Sequence, residues 1–283
     1  MFDVTIFSEL AKFSNVKFHG KNHTYYINGK MYPSVTTVIH KFVKPFDKDR
    51  KAQEYYEGHY HEEGFLERFP TVDHVLEAWD YKNKHAIFEG STLHNYLENY
   101  IINKVMPYPD FDDRGKIRFE EIRESYVKME AQANRFYQDY VASGKLLPIR
   151  SELVMGSESI GICGMCDQIF WSTKNKCFVI FDWKTNTSFN FENKYREKML
   201  YCLDHLDKCE INTYSIQVEL YKRIIETETA LRFPYQNFVV WFNENNQNYQ
   251  LIPLKDMKAV VDEMLIFWHQ NRALFENNSA VHA

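Results

Sequence analysis

The sequence has 283 residues, enough for one large domain or two small ones. With 45% hydrophobic residues, 26% charged residues, 10 Gly and 8 Pro, it is not a collagen-like, low-complexity or broadly disordered protein. The formal net charge of -5 argues against a protein that coats nucleic acid, because such proteins are basic overall.

We expect a cytoplasmic protein with no membrane partner. Residues 1–13 include Asp3 and Glu9 and lack a basic region followed by a long apolar run, so they do not resemble a signal peptide. No stretch approaches the roughly 18 apolar residues that span a bilayer. Five cysteines cannot all pair within one chain, which favours a reducing compartment.

The N-terminal third predicts a hairpin followed by helices. Residues 16–19 and 23–27 alternate like strands around a turn at 20–22, and Ser34 is a suitable N-cap for a helix over 35–42. Residues 50–85 are polar and helical in character. Between them lies a basic stretch that also carries two rings, which predicts a platform for single-stranded nucleic acid: Lys41, Phe42, Lys44, Phe46, Lys48, Arg50 and Lys51.

The remainder predicts a mixed α/β domain. Gly90-Ser91-Thr92 reads as a helix start, and a second long helix over 116–143 is ended by Gly144. Three strands are predicted at 149–155, 159–171 and 176–183, then helices at 193–203 and 213–226, strands at 237–242 and 249–252, and a last helix at 255–275. This order predicts a central mixed sheet flanked by helices.

The segment with the clearest chemistry is the predicted hairpin of the second and third of these strands. Asp182 and Lys184 are two residues apart in a strand and therefore share a face. A turn near residues 174–175 would bring Asp167 beside Asp182. Two converging carboxylates favour either a shared proton or a divalent cation, although a simple salt bridge is the commoner explanation of an isolated D-x-K.

Four further residues strengthen the cation hypothesis. His94 lies in the first turn of a predicted helix, and Glu152 lies in the strand before the hairpin. Gln217 and Tyr221 are four apart and share one face of the following helix.

Cys163 and Cys166 form a C-x-x-C, which we interpret as structural because the other cysteines do not complete a zinc site.

This set resembles the RecB-type branch of the PD-(D/E)xK nuclease superfamily. The matching motifs are G-x-x-x-H from Gly90, an acidic residue entering the sheet, G-x-x-D from Gly164, D-x-K from Asp182 and Q-x-x-x-Y from Gln217, over residues 86–226. Residues 32–38 are also similar to stand-alone phage and mitochondrial exonucleases of this group. The resemblance implies a restriction-endonuclease-like core over 86–283, with residues 1–85 as a hairpin and helical cap.

The resemblance also implies a role for each residue. The expected ligands of Mg²⁺ or Mn²⁺, one ion or two, are His94, Asp167, Asp182 and the carbonyl of Trp183. Lys184 would orient and activate the attacking water, and Gln217 and Tyr221 would position the nucleic acid or the lysine. Glu152 would support the metal or bind a second one. Independently of the resemblance, the basic residues Lys194, Arg196 and Lys198 are candidate phosphate contacts alongside Lys41 and Lys44, with a solvated helix face as the alternative for residues 194–198.

Two departures from related proteins are informative. The four cysteines that hold an iron–sulfur cluster in some members are missing, so we predict no cluster. The sequence also lacks G-x-x-x-x-G-K-[ST], so unwinding would need a separate helicase or recombination protein.

The sequence therefore predicts a metal-dependent DNA exonuclease acting on single strands or ends, in the cytoplasm, including that of a phage-infected host. Alternatives are a structure-specific or defence-related endonuclease of the same fold, an inactive nuclease-like DNA-binding protein, and an enzyme that cleaves RNA.

Overall fold

A computed structural model describes residues 4–101, 109–112, 115–234 and 236–277. Its helices are α1 (Val4–Leu10), α2 (Val35–Lys41), α3 (Lys48–His59), α4 (Phe65–Arg68), α5 (Val72–Ile101), α6 (Arg123–Phe136), α7 (Glu210–Glu228), α8 (Lys258–Gln270) and α9 (Arg272–Asn277). Its strands are β1 (Val16–His19), β2 (Thr24–Ile27), β3 (Lys30–Tyr32), β4 (Leu146–Ser157), β5 (Ile162–Ser172), β6 (Cys177–Lys184), β7 (Phe238–Trp241) and β8 (Gln250–Pro253).

A five-stranded mixed sheet forms the centre of the molecule, in the order β4-β5-β6-β7-β8. The strands β4, β5 and β6 form an antiparallel meander, β7 runs parallel to β6, and β8 is antiparallel to β7. The parallel connection from β6 to β7 contains α7. A second, three-stranded sheet consists of β1, β2 and β3. The predicted mixed α/β fold, with its central mixed sheet and N-terminal hairpin, is confirmed.

Helices cover both faces of the central sheet. Strand β6 shows the division: Ile180 belongs to a core shared with α2, α7 and α8, whereas Phe181 and Trp183 belong to a core shared with α5 and α6. Because neighbouring side chains in a strand point to opposite faces, each core takes alternate residues of β6. The strand is therefore buried on both faces, and its polar residues lie next to apolar ones.

The N-terminal hairpin packs on the central sheet. Tyr25 and Ile27 lie in the same core as Met155 and Ile162, and β1 contacts β4 while β2 contacts β5. Helix α5 runs from Val72 to Ile101 without interruption, so the expected boundary between residues 85 and 86 falls inside it. The division into a cap and a core stays a prediction.

The predicted helix start at residue 90 is wrong. The hydroxyl groups of Ser91 and Thr92 donate to the carbonyl of Phe88, one turn earlier in the same helix, at 3.0 and 2.7 Å. These side chains therefore bond inside α5 and do not cap a new helix. A Ser-Thr pair at a helix start and one inside a helix look alike in the sequence, so the sequence could not distinguish them.

The predicted helix at 193–203 is also wrong. Backbone amides of Met199 and Lys208 donate to the carbonyls of Leu206 and Glu197, so the segment folds back on itself, and its only helical part is the 3-10 turn Tyr201–Leu203. Other differences are smaller. The helix predicted at 116–143 begins at Arg123 and ends in a π-helical turn over Tyr137–Ala142, and the last helix divides at Asn271 into α8 and α9.

The five cysteines are unpaired, and Cys163 and Cys166 are buried in β5. Burial raises the pKa of the Cys163 thiol to about 12 and raises that of Cys166 well above its ordinary value. Both thiols are therefore protonated at neutral pH, as packing residues are.

Across the described ranges, no helix combines the length and the apolar character needed to cross a membrane.

Gly164 tests the contact between α7 and β5. A Cβ atom at this position would lie 2.7 Å from Cε1 of Tyr221 and 3.2 Å from a methyl group of Val35. We predict that Gly164→Ala lowers the free energy of unfolding by about 1–3 kcal/mol, because the added atom overpacks the core. Urea denaturation measures the change.

The matched control is Gly58→Ala on α3, where a Cβ atom would meet nothing within 4 Å. Alanine there should be neutral or stabilise the helix by up to about 1 kcal/mol. Equal effects of the two substitutions would contradict the proposed close packing of Tyr221 on β5.

Candidate metal centre

The hairpin of β5 and β6 brings Asp167 and Asp182 to the same end of the sheet. The two strands pair from Ser172 opposite Cys177 to Gln168 opposite Phe181, and the two aspartates are the next residues of this register. Both are buried. Oδ2 of Asp167 accepts a hydrogen bond of 2.8 Å from the backbone amide of Trp183.

His94 and Glu152 join Asp167 from two other elements. One potential ligand atom from each of the three side chains lies within 4.8 Å of the other two. Nδ1 of His94 is 3.8 Å from Oε1 of Glu152 and 3.9 Å from Oδ2 of Asp167, while its Nε2 is 3.2 Å from the carbonyl of Trp183. The predicted residues His94, Glu152 and Asp167 therefore form one cluster on the Nδ1 side of the imidazole, and the Trp183 carbonyl lies on its Nε2 side.

A glycine explains how α5 brings His94 to the sheet. A Cβ atom at Gly90 would lie 2.9 Å from Oγ1 of Thr185, the residue after β6. The missing side chain lets α5 pass close to the end of this strand, and His94 follows one helical turn later. Gly90 thus has a role in the geometry although it touches no ligand atom.

Glu152 has an unusual backbone conformation. Its φ is +45°, in the left-handed region, although its neighbours Ser151 and Leu153 pair regularly with β5. A residue other than glycine rarely adopts this conformation inside a strand, and the cost is of the order of 1–3 kcal/mol. Strain of this kind is common at functional sites, and here it affects a member of the His94–Glu152–Asp167 cluster.

Asp182 lies next to this cluster but has different partners. Its Oδ2 is 2.5 Å from Nζ of Lys184, and its Oδ1 accepts a hydrogen bond of 3.1 Å from Nε2 of Gln217. The same amide group donates to the hydroxyl of Tyr221 at 3.0 Å. The Q-x-x-x-Y pair on α7 therefore holds Asp182 in place. The compact cluster includes Glu152 and not Asp182, whereas the expected ligand set gave Asp182 the larger role.

The pKa values of Asp167, Asp182 and His94 are all raised. Burial raises the pKa of Asp167, and raises that of Asp182 to about 6 with the help of Asp167, although Lys184 opposes both shifts. Burial lowers the pKa of His94, but the nearby Asp167 and Glu152 outweigh it and the net pKa is raised. The site thus has more negative charge than its own cations offset.

Lys184 is a partly buried ammonium group near two carboxylates and one aromatic ring. Burial lowers its pKa, but the charges of Asp182 and Asp167 outweigh that effect and the net pKa is raised. Its Nζ also lies 4.8 Å from the ring centroid of Tyr214, a cation–π contact. Tyr214 was missed by the sequence reasoning. Its position three residues before Gln217 on the same helix was the available signal.

The expected basic platform does not form as predicted. Phe42 is fully buried and packs against Tyr201, Phe267 and Phe275, so its ring cannot stack on a base. Three basic residues of the predicted platform are paired with carboxylates: Lys48 with Asp80, Arg50 with Asp47 and Glu54, and Lys51 with Glu54. Phe42 depends on partners more than 150 residues away, which the local sequence does not show.

The other residues predicted to contact phosphates differ in whether a carboxylate already pairs with them. Lys198 is paired with Asp207 at 2.6 Å, whereas Lys194 and Arg196 are exposed on a loop, with Lys194 over the ring of Tyr195. The backbone carbonyl of Lys44 accepts a hydrogen bond from Lys208. None of the predicted phosphate-contact residues belongs to the His94–Glu152–Asp167 cluster.

Comparison with known proteins gives little beyond this geometry. No protein-family model matches the sequence, and no curated protein matches it either. A crystal structure from Eubacterium rectale, named as a "putative exonuclease", is similar with a TM-score of 0.40 and 14% sequence identity, over 67% of this chain and 65% of that one. The chain therefore spans less than two thirds of that protein, and functional conclusions depend on the site itself.

The raised pKa of Asp182 predicts how stability depends on pH without divalent cations. A carboxyl group whose pKa is higher in the folded state favours folding at low pH and loses that contribution as the pH rises through the folded value. Between about pH 4 and about pH 7, we predict that the wild type loses about 1–3 kcal/mol of stability relative to Asp182→Asn. Urea denaturation in a chelator measures this difference.

The matched control is Asp204→Asn, which removes an exposed carboxylate. Its stability should stay parallel to that of the wild type across the same pH range. If the Asp182→Asn profile is also parallel to the wild type, the buried carboxylate does not carry the predicted shift.

Proposed function

We propose that this protein is a metal-dependent nuclease, and specifically a DNA exonuclease that acts on single strands or DNA ends. One observation carries the proposal: His94, Glu152 and Asp167 converge within 4.8 Å beside the ion pair of the buried Asp182 with Lys184. The same arrangement supports the PD-(D/E)xK hypothesis, since the D-x-K motif and the preceding aspartate lie at adjoining strand ends.

The donor atoms fit a hard divalent cation. Carboxylate and carbonyl oxygens are the ligands that Mg²⁺ prefers, and one imidazole extends the choice to Mn²⁺. The charge of the site fits a cation as well, because three carboxylates, Glu152, Asp167 and Asp182, lie near one lysine, Lys184. We propose that His94, Glu152 and Asp167 hold the ion, with Asp182 and the Trp183 carbonyl as further ligands. When bound, such an ion would polarise the scissile phosphate and lower the pKa of water.

Lys184 is proposed to orient the attacking water and to offset charge on the phosphoryl oxygens. Hydrolysis joins the water oxygen to phosphorus, breaks the bond from phosphorus to one sugar oxygen, and transfers a proton to that leaving oxygen. The raised pKa of Lys184 keeps it an ammonium group at neutral pH. It therefore acts as a hydrogen-bond donor and positive charge rather than as a base.

Gln217 and Tyr221 are proposed to act through Asp182. The amide of Gln217 donates to Oδ1 of Asp182, which leaves Oδ2 to Lys184. Tyr221 fixes the amide in turn and lies against Gly164 of β5. These two residues are positioning residues for the D-x-K pair.

Lys41, Lys44, Lys194, Arg196 and Lys198 remain proposed DNA contacts. Lys44, Lys194, Arg196 and Lys198 are exposed, and of these four Lys198 is paired with Asp207. A separate helicase or recombination protein remains the proposed source of unwound strands.

Variants of the site test the proposed chemistry. We predict that Lys184→Ala and Asp167→Asn each lower the rate of cleavage of end-labelled single-stranded DNA with Mg²⁺ or Mn²⁺ by about 100-fold or more. The substitutions remove the positive charge beside the phosphate and one metal ligand, respectively. Circular dichroism checks that both variants are folded.

Lys174→Ala is the matched control, because Lys174 is exposed in the turn at the opposite end of β5 and β6. It should cleave at the wild-type rate. Wild-type rates for a folded Lys184→Ala or Asp167→Asn variant would refute the site, and a wild type without cleavage of any strand would refute the nuclease.

The choice between exonuclease and endonuclease has its own test. We predict that linear single strands are degraded with Mg²⁺ while covalently closed single-stranded circles of the same sequence persist, because an exonuclease needs an end. Gel electrophoresis of both substrates, with matched RNA as a third, measures the outcome. Cleavage of the circles would favour the endonuclease alternative, and preference for RNA would change the substrate class.

A further inference from the structure

A groove lies along the outer edge of β4, where α1 and the following 3-10 helix (Ala11–Asn15) approach the sheet. Strand β4 is the first strand of the central sheet, so its outer edge has no β-strand of that sheet beside it. The groove has a volume of about 450 Å³ and a floor of apolar residues such as Leu10 and Phe13. This size is within the range of ligand-binding sites.

The groove reaches the candidate metal centre. Glu152 lines it and is also a member of the His94–Glu152–Asp167 cluster. Glu152 is the residue that the groove and the cluster share, so the groove adjoins the proposed cation site at this side chain. The larger cavity of about 820 Å³, beside α7 and the start of α8, contains no residue of the cluster.

Two cations line the groove and are available for an anionic ligand. Arg150 is exposed and, within the described ranges, has no ion pair or hydrogen bond to a carboxylate. The Lys17 ammonium donates at 3.0 Å to the carbonyl of Ser14 and has no acidic partner among the described residues. Glu152 is the one acid among the described residues that line the groove. By contrast, Lys48, Arg50 and Lys51 are neutralised by carboxylates.

An exposed ring completes the lining. Phe7 on α1 is 59% exposed and lines the groove. Its face is available to an unpaired base, whereas the bases of a duplex are already stacked and paired. Cations beside an aromatic ring are the combination that binds single strands with little sequence preference.

We propose that this groove binds the substrate strand next to the scissile bond, with phosphates on Arg150 and Lys17 and an unpaired base against Phe7. The groove assigns single-stranded nucleic acid as the substrate form. This inference rests on the proposed nuclease function and adds a binding site to it. Neither residues 7–17 nor Arg150 belongs to the motifs that suggested the function.

The test measures binding directly, in the full chain with Lys184→Ala to prevent cleavage. Fluorescence anisotropy of a labelled 12-nucleotide single strand with Mg²⁺ gives the affinity as a function of salt. Adding Lys17→Ala and Arg150→Ala should weaken binding and reduce the salt dependence of log K by about 1.4, or about 0.7 for each lost phosphate contact. Adding Phe7→Ala should weaken binding about tenfold, with the salt dependence unchanged.

The matched control is Lys174→Ala with Arg135→Ala, which removes the same two charges from exposed positions outside the groove. It should retain the parent salt dependence. If the groove variant behaves like this control, the groove proposal is overturned while the nuclease proposal stands. Equal affinity for the matched duplex would overturn the single-strand assignment. If the parent binds no nucleic acid, the groove proposal is overturned, and cleavage by the wild type decides the nuclease proposal separately.

Discussion

The structure depends on the crowding of acidic groups at the end of β6. Asp167 and Glu152 meet there with Asp182 beside them, and Lys184 is the one permanent cation among the described residues of the site. Burying carboxylates is costly unless ions or hydrogen bonds compensate for them. The protein supplies part of this compensation through Lys184, Gln217 and the amide of Trp183. The remaining negative charge is the physical basis for a divalent cation at this site.

The rest of the fold supports this arrangement. Strand β6 is buried on both faces, so its apolar residues hold the strand while Asp182 and Lys184 emerge at its end. Glycines allow two close approaches: Gly90 brings α5 to Thr185, and Gly164 brings Tyr221 of α7 to β5. Glu152, which lies beside His94, has a strained backbone with a positive φ. Side chains of α5, β4 and β5, which are separate segments of the sequence, thereby lie within a few ångströms of one another.

The sequence predicted the parts that follow from local periodicity. The two-residue period of strands and a turn near residues 174–175 were enough to place Asp167 opposite Asp182. The same reasoning failed where tertiary contacts decide the outcome. Ser91 and Thr92 bond within α5 and do not begin a helix, and Phe42 is buried by residues of the last helices rather than exposed. The groove could not be predicted, because it joins Phe7 and Lys17 to Arg150 across more than 130 residues.

The central claim is that His94, Glu152 and Asp167 form a cation site. Crystals grown with Mn²⁺ and measured at the manganese absorption edge test it directly, because anomalous scattering locates the ion without assumptions about chemistry. We predict a peak within bonding distance of Nδ1 or Nε2 of His94 and of carboxylate oxygens of Glu152 and Asp167, at about 2.0–2.3 Å. A strong peak elsewhere, with none at this cluster, would contradict it.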